Sequence, residues 1–209
     1  MKIRILIAIL ISLLLLGPSV YSQEMDDEEY RVYETVIRHR FLSQPGHIDL
    51  KNMDSDGKID HLLPKTSIIL DRTFKSLIME SVDPEGIEKK LADNLKALSR
   101  KPIESWRKNN AENHPISDRF SFQEKVLLLS RKEFNDSFKP NHWNSFYERF
   151  PNALGYFVLS RVGLDEKKTV ALVYVENQQD GRWGLGSFFF LLKEEGKWKI
   201  EAEIRVWVS

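Results

Sequence analysis

Four runs of strand-forming residues fill the C-terminal end of the chain, and they constrain the fold more than any other feature. They span residues 154–163, 168–178, 185–193 and 197–208, and short segments rich in glycine and charge separate them. In the last run, apolar residues from Trp198 to Val208 alternate with charged ones, the period-two pattern of a strand with one buried side. The second run, TVALVYVE, is apolar at successive positions, so we expect it at the centre of the sheet. The runs predict a four-stranded antiparallel meander.

The chain before this meander is mainly helical in pattern. Helical periodicity marks residues 26–42 and residues 84–99, with Pro102 expected to close the second helix, and a strand pattern marks residues 66–73. Ser130 and Glu133 have the spacing of a capping box, which predicts a helix start. The chain is therefore predicted to be of the α+β class, with a single domain over residues 23–209 whose N-terminal helices pack on the meander.

The first 22 residues have the layout of a signal peptide. Lys2 and Arg4 precede an apolar run over residues 5–16, and Ser22 ends a segment that suits a cleavage site. The run is short for a membrane-spanning helix, which makes an uncleaved anchor the weaker alternative. We expect residues 1–22 to be removed and the protein to be periplasmic or secreted, with no membrane contact after cleavage.

Composition narrows the classes of partner and cofactor. The chain has no cysteine, which excludes disulfides, iron–sulfur clusters and thiol catalysis. Its formal net charge is zero, and no basic stripe of the kind that binds nucleic acid is visible. No catalytic triad or cofactor motif is recognisable, so we expect no organic cofactor and no nucleic-acid partner.

An acidic segment over residues 52–63, NMDSDGKIDHLL, is similar to part of a calcium-binding loop. Its candidate ligands are Asn52, Asp54, Asp56 and Asp60, with Gly57 at the position of the sharp turn. The last ligand position holds Leu63 instead of a bidentate glutamate, and Pro64 follows it, so any calcium binding is expected to be weak. The alternative is an aspartate-rich turn in which the side chains bond their own backbone.

Two further positions are candidates for function. The segment GRWGLGS, residues 181–187, has glycines spaced like a phosphate loop, but a strand pattern follows it, so we expect a hairpin tip. Trp183 at that tip is a candidate contact for a protein partner or a sugar. His39 and Asp71 are a candidate acid–base pair if the first helix crosses the end of the strand over residues 66–73.

The C-terminal pattern, FPNALGYFVLSRVGLDEKKTVALVYVENQ followed by FLLKEEGKWKIEAEIRVWVS, resembles a family of exported bacterial proteins of unknown function. The segments VYETVIRHRFL and IILDRTF near the start extend this resemblance over most of the chain. The resemblance implies export but no activity. The tail is also similar to the last strands of cone-shaped, cystatin-like folds such as the nuclear-transport-factor-2 group, a likeness of fold that does not specify function.

These observations predict an exported, non-enzymatic domain that binds an unidentified protein or small-molecule ligand. One alternative is an enzyme of the hydrolase or isomerase type with a cone-shaped pocket, which would require convergent polar groups including a histidine or carboxylate. The other alternative is a calcium-stabilised domain that uses the loop over residues 52–63.

Overall fold

The computed structural model describes residues 24–42, 66–73, 89, 100–121 and 123–209. The helices in these ranges are α1 (Asp27–Val36), continued by a π-helix (Ile37–Leu42), α2 (Lys101–Asn109), α3 (Arg131–Ser137) and α4 (Trp143–Arg149). The strands are β1 (Thr66–Leu70), β2 (Lys125–Leu129), β3 (Ala153–Leu159), β4 (Gly163–Leu164), β5 (Val170–Gln178), β6 (Gly184–Glu194) and β7 (Lys197–Val208). The predicted signal peptide, the acidic loop and, except for residue 89, the helix predicted over 84–99 lie outside the described ranges.

Helix α1 begins where the sequence predicts a helix, because Asp26 caps its first turn. The Asp26 carboxylate accepts hydrogen bonds from the backbone N–H groups of Glu28 (2.8 Å) and Glu29 (3.2 Å), and the Glu29 side chain accepts one from the Asp26 N–H (3.4 Å). The buried face of α1 includes Tyr33 and Val36, which pack on the sheet. The predicted start at residue 26 is thus confirmed, although the last six residues wind as a π-helix.

The strands form one mixed sheet in the order β2-β1-β3-β5-β6-β7, and β4 pairs with β5 on the side of β3. The α+β class is confirmed. The predicted four-stranded antiparallel meander describes only part of this sheet, because β1 lies parallel to both β2 and β3. Strand β5 has neighbours on both sides and both of its faces are covered, as predicted.

The predicted strand over residues 154–163 is divided into β3 and β4 by the segment 160–162. Here the Ser160 hydroxyl accepts a hydrogen bond from the Tyr174 N–H (2.9 Å), in place of a backbone carbonyl, and the Ser160 N–H donates to the Tyr174 carbonyl (2.9 Å). The next residue, Arg161, bonds to α1 with its side chain. The division therefore connects the centre of the sheet to the first helix.

The alternating residues of β7 are split between the two faces of the sheet. Phe190 of β6 pairs with Ala202, whereas the adjacent Leu191 pairs with Ile200, so Glu201 is the extra residue of a β-bulge. Adjacent residues of a strand point to opposite faces. As a result, Ile200 packs in the cluster under α1 and Ala202 packs in a cluster on the other face. The prediction of one buried side along β7 is wrong.

Apolar clusters lie on both faces of the sheet. Val173 and Val175 of β5 pack with α1 and the π-helix, whereas Leu172 and Tyr174 pack with α2 on the opposite face. Helices α3 and α4 cover the β1–β3 part of this second face around Phe146. The second face is thus covered by two separate helical groups.

Helix α2 begins at Lys101, with Pro102 in its first turn. A proline fits this position, because in the first turn it lacks only an N–H group that has no partner within the helix. The prediction that Pro102 closes the helix over residues 84–99 stays a prediction, because residues 90–99 lie outside the described ranges. Ile103 and Trp106 bury the inner side of α2 against the sheet. Neither α2 nor any other helix in the described ranges is long and apolar enough to cross a membrane.

Candidate ligand-binding site

A strip of aromatic and polar side chains links the α2 cluster to the α3–α4 cluster on the second face of the sheet. Its members, which we call the aromatic–carboxylate strip, are Trp143, Tyr147, Tyr156, Tyr174, Glu176, Gln178 and Trp207. Every member except Tyr174 is partly exposed. Ring faces and a carboxylate that are half-buried together form the type of surface on which proteins hold organic ligands.

The register of the strands brings the strip together from distant positions in the chain. Tyr156 of β3 pairs with Gln178 of β5, and Glu176, two residues earlier in β5, pairs with Gly186 of β6. Gly186 in turn pairs with Trp207 of β7. Residues with the same parity on paired strands share a face, so these side chains line one side of the sheet.

Gly186 leaves the space in which two members of the strip meet. A Cβ atom at this position would lie 2.1 Å from Trp207 Nε1 and 2.2 Å from Tyr174 Oη. Contacts of that length are not tolerated, so any larger residue would displace one of these groups. The glycine therefore allows an indole and a phenol to approach each other over the sheet backbone.

Hydrogen bonds connect these groups to the carboxylate. Trp207 Nε1 donates to Tyr174 Oη (2.7 Å), and Tyr174 Oη donates to Glu176 Oε1 (2.9 Å). Burial raises the pKa of Glu176 above its usual range, although the hydrogen bonds from Tyr174 and Trp207 act in the opposite direction. Burial and the nearby Glu176 carboxylate also raise the pKa of Tyr174, so its hydroxyl stays protonated and donates to the carboxylate.

Tyr156 joins the carboxylate end of the strip to the aromatic side chains of α4. Its hydroxyl donates to Gln178 Oε1 (2.7 Å), and burial, followed by the charge of Glu176, raises its pKa to about 12. The Tyr156 ring stacks on Trp143, with centroids 5.8 Å apart and planes inclined by 14°. Trp143 also stacks on Tyr147 at 5.9 Å and 26°. The strip is therefore continuous from β7 to α4.

No protein-family model, curated protein or solved structure matches this chain. The resemblance of the C-terminal pattern to exported bacterial proteins of unknown function therefore stays a prediction. The function has to be inferred from the chemistry of the site.

A second polar cluster lies under α1 and contains a buried ion pair. Arg161 Nη2 donates to Glu29 Oε1 (3.1 Å) and Arg161 Nε donates to Glu29 Oε2 (3.2 Å), with side chains that are 6% and 5% exposed. Arg161 Nη1 also lies 3.2 Å from Nδ1 of His114, whose Nε2 lies 2.8 Å from the carbonyl oxygen of Asn109. This arrangement suits an imidazole that donates from Nε2 and accepts at Nδ1.

The polar groups around this ion pair bond to other parts of the protein. The Asn110 side chain donates to the Arg161 carbonyl (2.8 Å) and accepts from the Arg161 N–H (2.7 Å). Tyr33 Oη donates to the Ser160 carbonyl (2.9 Å), and Trp106 Nε1 donates to the Ser160 hydroxyl (2.8 Å). We assign this cluster a structural role, because its hydrogen bonds fasten α1 and α2 to the division between β3 and β4.

Three of the candidates singled out from the sequence, Trp183, His39 and Asp71, lie in the described part of the chain and outside the strip. Trp183 is 58% exposed in the connection between β5 and β6, which is a hairpin, as predicted. His39 is exposed on the π-helix, and Asp71 follows β1, where its backbone bonds Leu129 and Ile116. Neither residue of this proposed acid–base pair belongs to the strip.

The proposed calcium ligands, Asn52, Asp54, Asp56 and Asp60, lie outside the described residues. Calcium binding by that loop stays a prediction. Among the residues that the structure describes, no group of three or more histidine, aspartate or glutamate side chains is arranged to hold a metal ion.

The central residues of the strip carry no motif that singles them out in the sequence. Tyr174 and Glu176 belong to the run TVALVYVE, whose successive apolar residues predict a central strand. The available signal was Glu176 itself, because a carboxylate in a central strand is costly unless it is paired or has a function. Sequence alone does not show that Trp207 approaches it.

Proposed function

We propose that this chain is an exported binding module that holds a polar organic ligand on the aromatic–carboxylate strip. The observation that carries this proposal is the half-buried Glu176 carboxyl, which is hydrogen-bonded to Tyr174 beside the partly exposed ring of Trp207. Export is supported by the signal-peptide layout of residues 1–22.

The position of Glu176 supports a binding role over a structural one. Burial raises its pKa, which means that the folded protein bears a cost for keeping the charged form at neutral pH. An apolar or amide side chain at this position in β5 would avoid that cost. Groups that weaken the fold and sit beside exposed aromatic rings are typical of binding sites.

The ligand chemistry follows from the groups on offer. Glu176 and the Gln178 amide oxygen can accept hydrogen bonds, and the rings of Tyr156 and Trp207 can contact the apolar side of a ligand. A small molecule with several donors and one apolar side fits this set. A peptide segment of a partner protein also combines several hydrogen-bond donors with an apolar side.

A binding assay with two matched glutamate variants tests the proposal. Trp207 and Trp143 lie in the strip, so tryptophan fluorescence can report titrations with chitin, cellulose and starch oligosaccharides, choline and the free amino acids. We expect at least one probe to saturate and Glu176→Gln to weaken its binding by tenfold or more, about 1.4 kcal/mol per factor of ten. Tyr156→Phe should weaken it as well.

Glu203→Gln is the control, because it makes the same chemical change on the opposite face of the sheet. Glu203 bonds Arg40 of the π-helix at 3.0 Å and the Ser187 hydroxyl at 2.9 Å. The Glu203→Gln variant should bind the probe with the affinity of the unaltered protein. The proposal is wrong if no probe saturates, or if Glu176→Gln and Glu203→Gln bind equally well.

An enzyme of the hydrolase or isomerase type is the second candidate function. The observation in its favour is again Glu176, since a carboxyl whose pKa is raised by burial and that accepts a hydrogen bond from a phenol is a candidate for proton transfer. Incubation of the bound probe with the protein, followed by product analysis, separates the two functions. If the probe is converted to product, and Glu176→Gln abolishes this turnover while it retains affinity, the protein is an enzyme. If the bound probe stays unchanged, the result supports the binding module.

We also propose that the antiparallel part of the sheet is of the cystatin-like type. Support comes from the consecutive pairing of β3, β5, β6 and β7, from the register shifts that bend the β6–β7 pair, and from α1 across one face. The parallel strands β1 and β2 are an addition to that type. An experimental structure that superimposes these four strands on a cystatin-like sheet would test this proposal.

A further inference from the structure

We propose that the ligand of the strip is an organic cation, whose ammonium or guanidinium group pairs with Glu176 while its hydrocarbon part lies on the Trp207 ring. This inference rests on the proposed binding function and specifies the charge and the chemical class of the ligand. The two residues are already joined through the Tyr174 hydroxyl, which accepts a hydrogen bond from Trp207 and donates one to Glu176.

The Glu176 carboxylate has hydrogen-bond donors beside it but no ion-pair partner in the described part of the chain. Tyr174 Oη donates to its Oε1 (2.9 Å), and Trp207 Nε1 lies behind that hydroxyl (2.7 Å). Both of these donors are neutral. Arg131 of α3 lies near enough to Tyr156 for its charge to act on that hydroxyl, but it forms no ion pair with Glu176. The carboxylate is therefore hydrogen-bonded, and its negative charge is not neutralised.

Other carboxylates with restricted exposure pair with a basic side chain. Three carboxylates whose side chains are 5%, 15% and 24% exposed each have a lysine or arginine partner, namely Glu29 with Arg161, Glu28 with Lys193 and Glu203 with Arg40. Burial of a charge is costly unless an opposite charge accompanies it. A partly exposed carboxylate that the fold leaves without such a partner is electrostatically complementary to a positively charged ligand.

Trp207 supplies a ring beside this carboxylate. Its indole lies along the backbone of β6, because a Cβ atom on Gly184 would lie 3.0 Å from Cζ3 and one on Gly186 would lie 2.1 Å from Nε1. Unlike Tyr156, which stacks on Trp143, Trp207 contacts no other aromatic ring among the residues that the structure describes. The side chain is partly exposed, so its accessible surface is on the side away from β6.

An organic cation interacts favourably with both groups at once. The face of a tryptophan ring has a negative electrostatic potential and attracts a cation that lies within about 6 Å of the ring centroid. An ammonium or guanidinium group also donates several hydrogen bonds, which are stronger to a carboxylate than to a neutral acceptor. Its charge would offset the cost of removing water from Glu176, whereas a neutral ligand would remove that water without neutralising the carboxylate.

Anions and metal ions fit the strip less well. The charge of Glu176 repels a phosphate or carboxylate ligand. Calcium takes about six to eight oxygen ligands, but the acceptors that face it here are the Glu176 carboxylate and the Gln178 amide oxygen, which already accepts a hydrogen bond from Tyr156 (2.7 Å). The observations therefore favour a cation that needs one carboxylate and one ring.

The test compares cations with neutral molecules of similar shape on the purified protein. The small-molecule pairs are hexylamine with hexanol and cyclohexylmethylamine with cyclohexylmethanol. The peptide-type pair is acetyl-arginine methylamide with acetyl-citrulline methylamide, in which a urea group replaces the guanidinium. We expect calorimetry to show that at least one cation binds tenfold or more tightly than its neutral partner. Binding of the amines would indicate a small-molecule ligand, and binding of the arginine derivative alone would indicate a peptide of a partner protein.

Three variants test the roles of the carboxylate and the ring. Glu176→Gln removes the charge and should reduce the affinity for the cation to about that for its neutral partner. Trp207→Leu should weaken binding of the cation, and Trp207→Phe, which keeps an aromatic face, should restore much of it. Val208→Ala is the control, because Val208 is 63% exposed at the next position of β7 and points to the opposite face. This variant should bind the cation with unchanged affinity.

The outcomes distinguish this inference from the proposed function. If no cation binds at least tenfold more tightly than its neutral partner while Glu176→Gln still weakens binding of a neutral probe, the cation class is wrong and the proposed function stands. If the preference for the cation persists in Glu176→Gln, the cation does not pair with Glu176 and the inference is wrong. If Glu176→Gln has no effect on any probe, the proposed function fails as well.

Discussion

Replacement of Glu29 by leucine is expected to destabilise the protein strongly, because it leaves the Arg161 guanidinium charged in a buried site. The two side chains are 5% and 6% exposed and are joined by hydrogen bonds of 3.1, 3.2 and 3.4 Å. Removing one partner of a buried ion pair typically costs about 3–5 kcal/mol. For a protein of this size, that loss corresponds to a fall in melting temperature of roughly 6–20 °C.

A double-mutant cycle shows whether the cost comes from the unpaired charge. Glu29→Leu/Arg161→Met removes both charges, and such replacements are often close to neutral. His114 and the Glu24 carbonyl would still lose their contacts with the guanidinium, at 3.2 and 3.4 Å. We therefore expect partial recovery, with the double variant about 2 kcal/mol more stable than the sum of the single changes predicts.

Urea unfolding followed by circular dichroism measures these differences in the free energy of unfolding. Glu104→Leu is the matched control, because Glu104 is exposed on α2 and its 3.6 Å contact with Lys101 is a surface pair worth less than about 1 kcal/mol. A loss of less than about 1 kcal/mol in Glu29→Leu, or strictly additive single changes, would refute the assignment of a buried structural ion pair.

Three further predictions concern the turns, the first helix and the strip. Gly155→Ala and Gly196→Ala both place a side chain at positive φ (73° and 76°), which costs about 1–2 kcal/mol. At Gly155 the Cβ would also lie 1.9 Å from a carbonyl oxygen at the end of β5, whereas Gly196 has open space among the described atoms, so urea unfolding should show the larger loss at Gly155. Equal losses would contradict this reading. Asp26→Ala should cost about 1 kcal/mol at neutral pH through loss of the helix cap. Burial acts to raise the pKa of Asp26, but hydrogen bonds from Lys168 and from backbone N–H groups lower it below 3.8. The stability that comes from its charge is therefore present above about pH 4 and is lost as the pH falls through the folded-state pKa. Unfolding at pH 7 and pH 2.5 should therefore show a smaller difference between the two proteins in acid, and a constant difference would count against the charged cap. The raised pKa of Glu176 has the opposite sign: the folded state takes up the proton first, so its contribution to stability increases as the pH falls from neutral toward 4.5. Glu176→Gln should remove that contribution, which unfolding at pH 7 and pH 5 would detect, and an unchanged pH dependence would place the carboxyl in solvent.

Local signals in the sequence predicted those elements whose causes lie within a few residues. The helical periodicity over residues 26–42 predicted α1, and the spacing of Ser130 and Glu133 predicted the start of α3. The strand β1 and the hairpin that carries Trp183 were also recognised. For the two helix starts and the hairpin tip, the determining hydrogen bonds join residues three or four positions apart, so a single stretch of sequence contains the information.

The tertiary structure decided what depends on long-range pairing. The run over residues 154–163 reads as one strand, but the ion pair between Arg161 and Glu29, 132 positions apart, accompanies its division. The pattern of β7 reads as one buried side, but the bulge at Glu201 sends its apolar residues to both faces. Neither the division nor the bulge is visible in the local sequence. A period of two shows that side chains alternate along a strand, but it does not show how that strand pairs with its neighbour.

The candidate site shows the same division. The sequence alone predicts that Glu176 lies in a central, otherwise apolar strand. It also shows that the chain has five tryptophans, but not where they lie in the fold. Only the register of β3, β5, β6 and β7 brought Tyr156 and Trp207 to that carboxylate, with Gly186 leaving room for the indole. The aromatic–carboxylate strip is built from four strands and a helix and is a property of their packing, because its members are neighbours in space while up to 64 positions separate them along the chain.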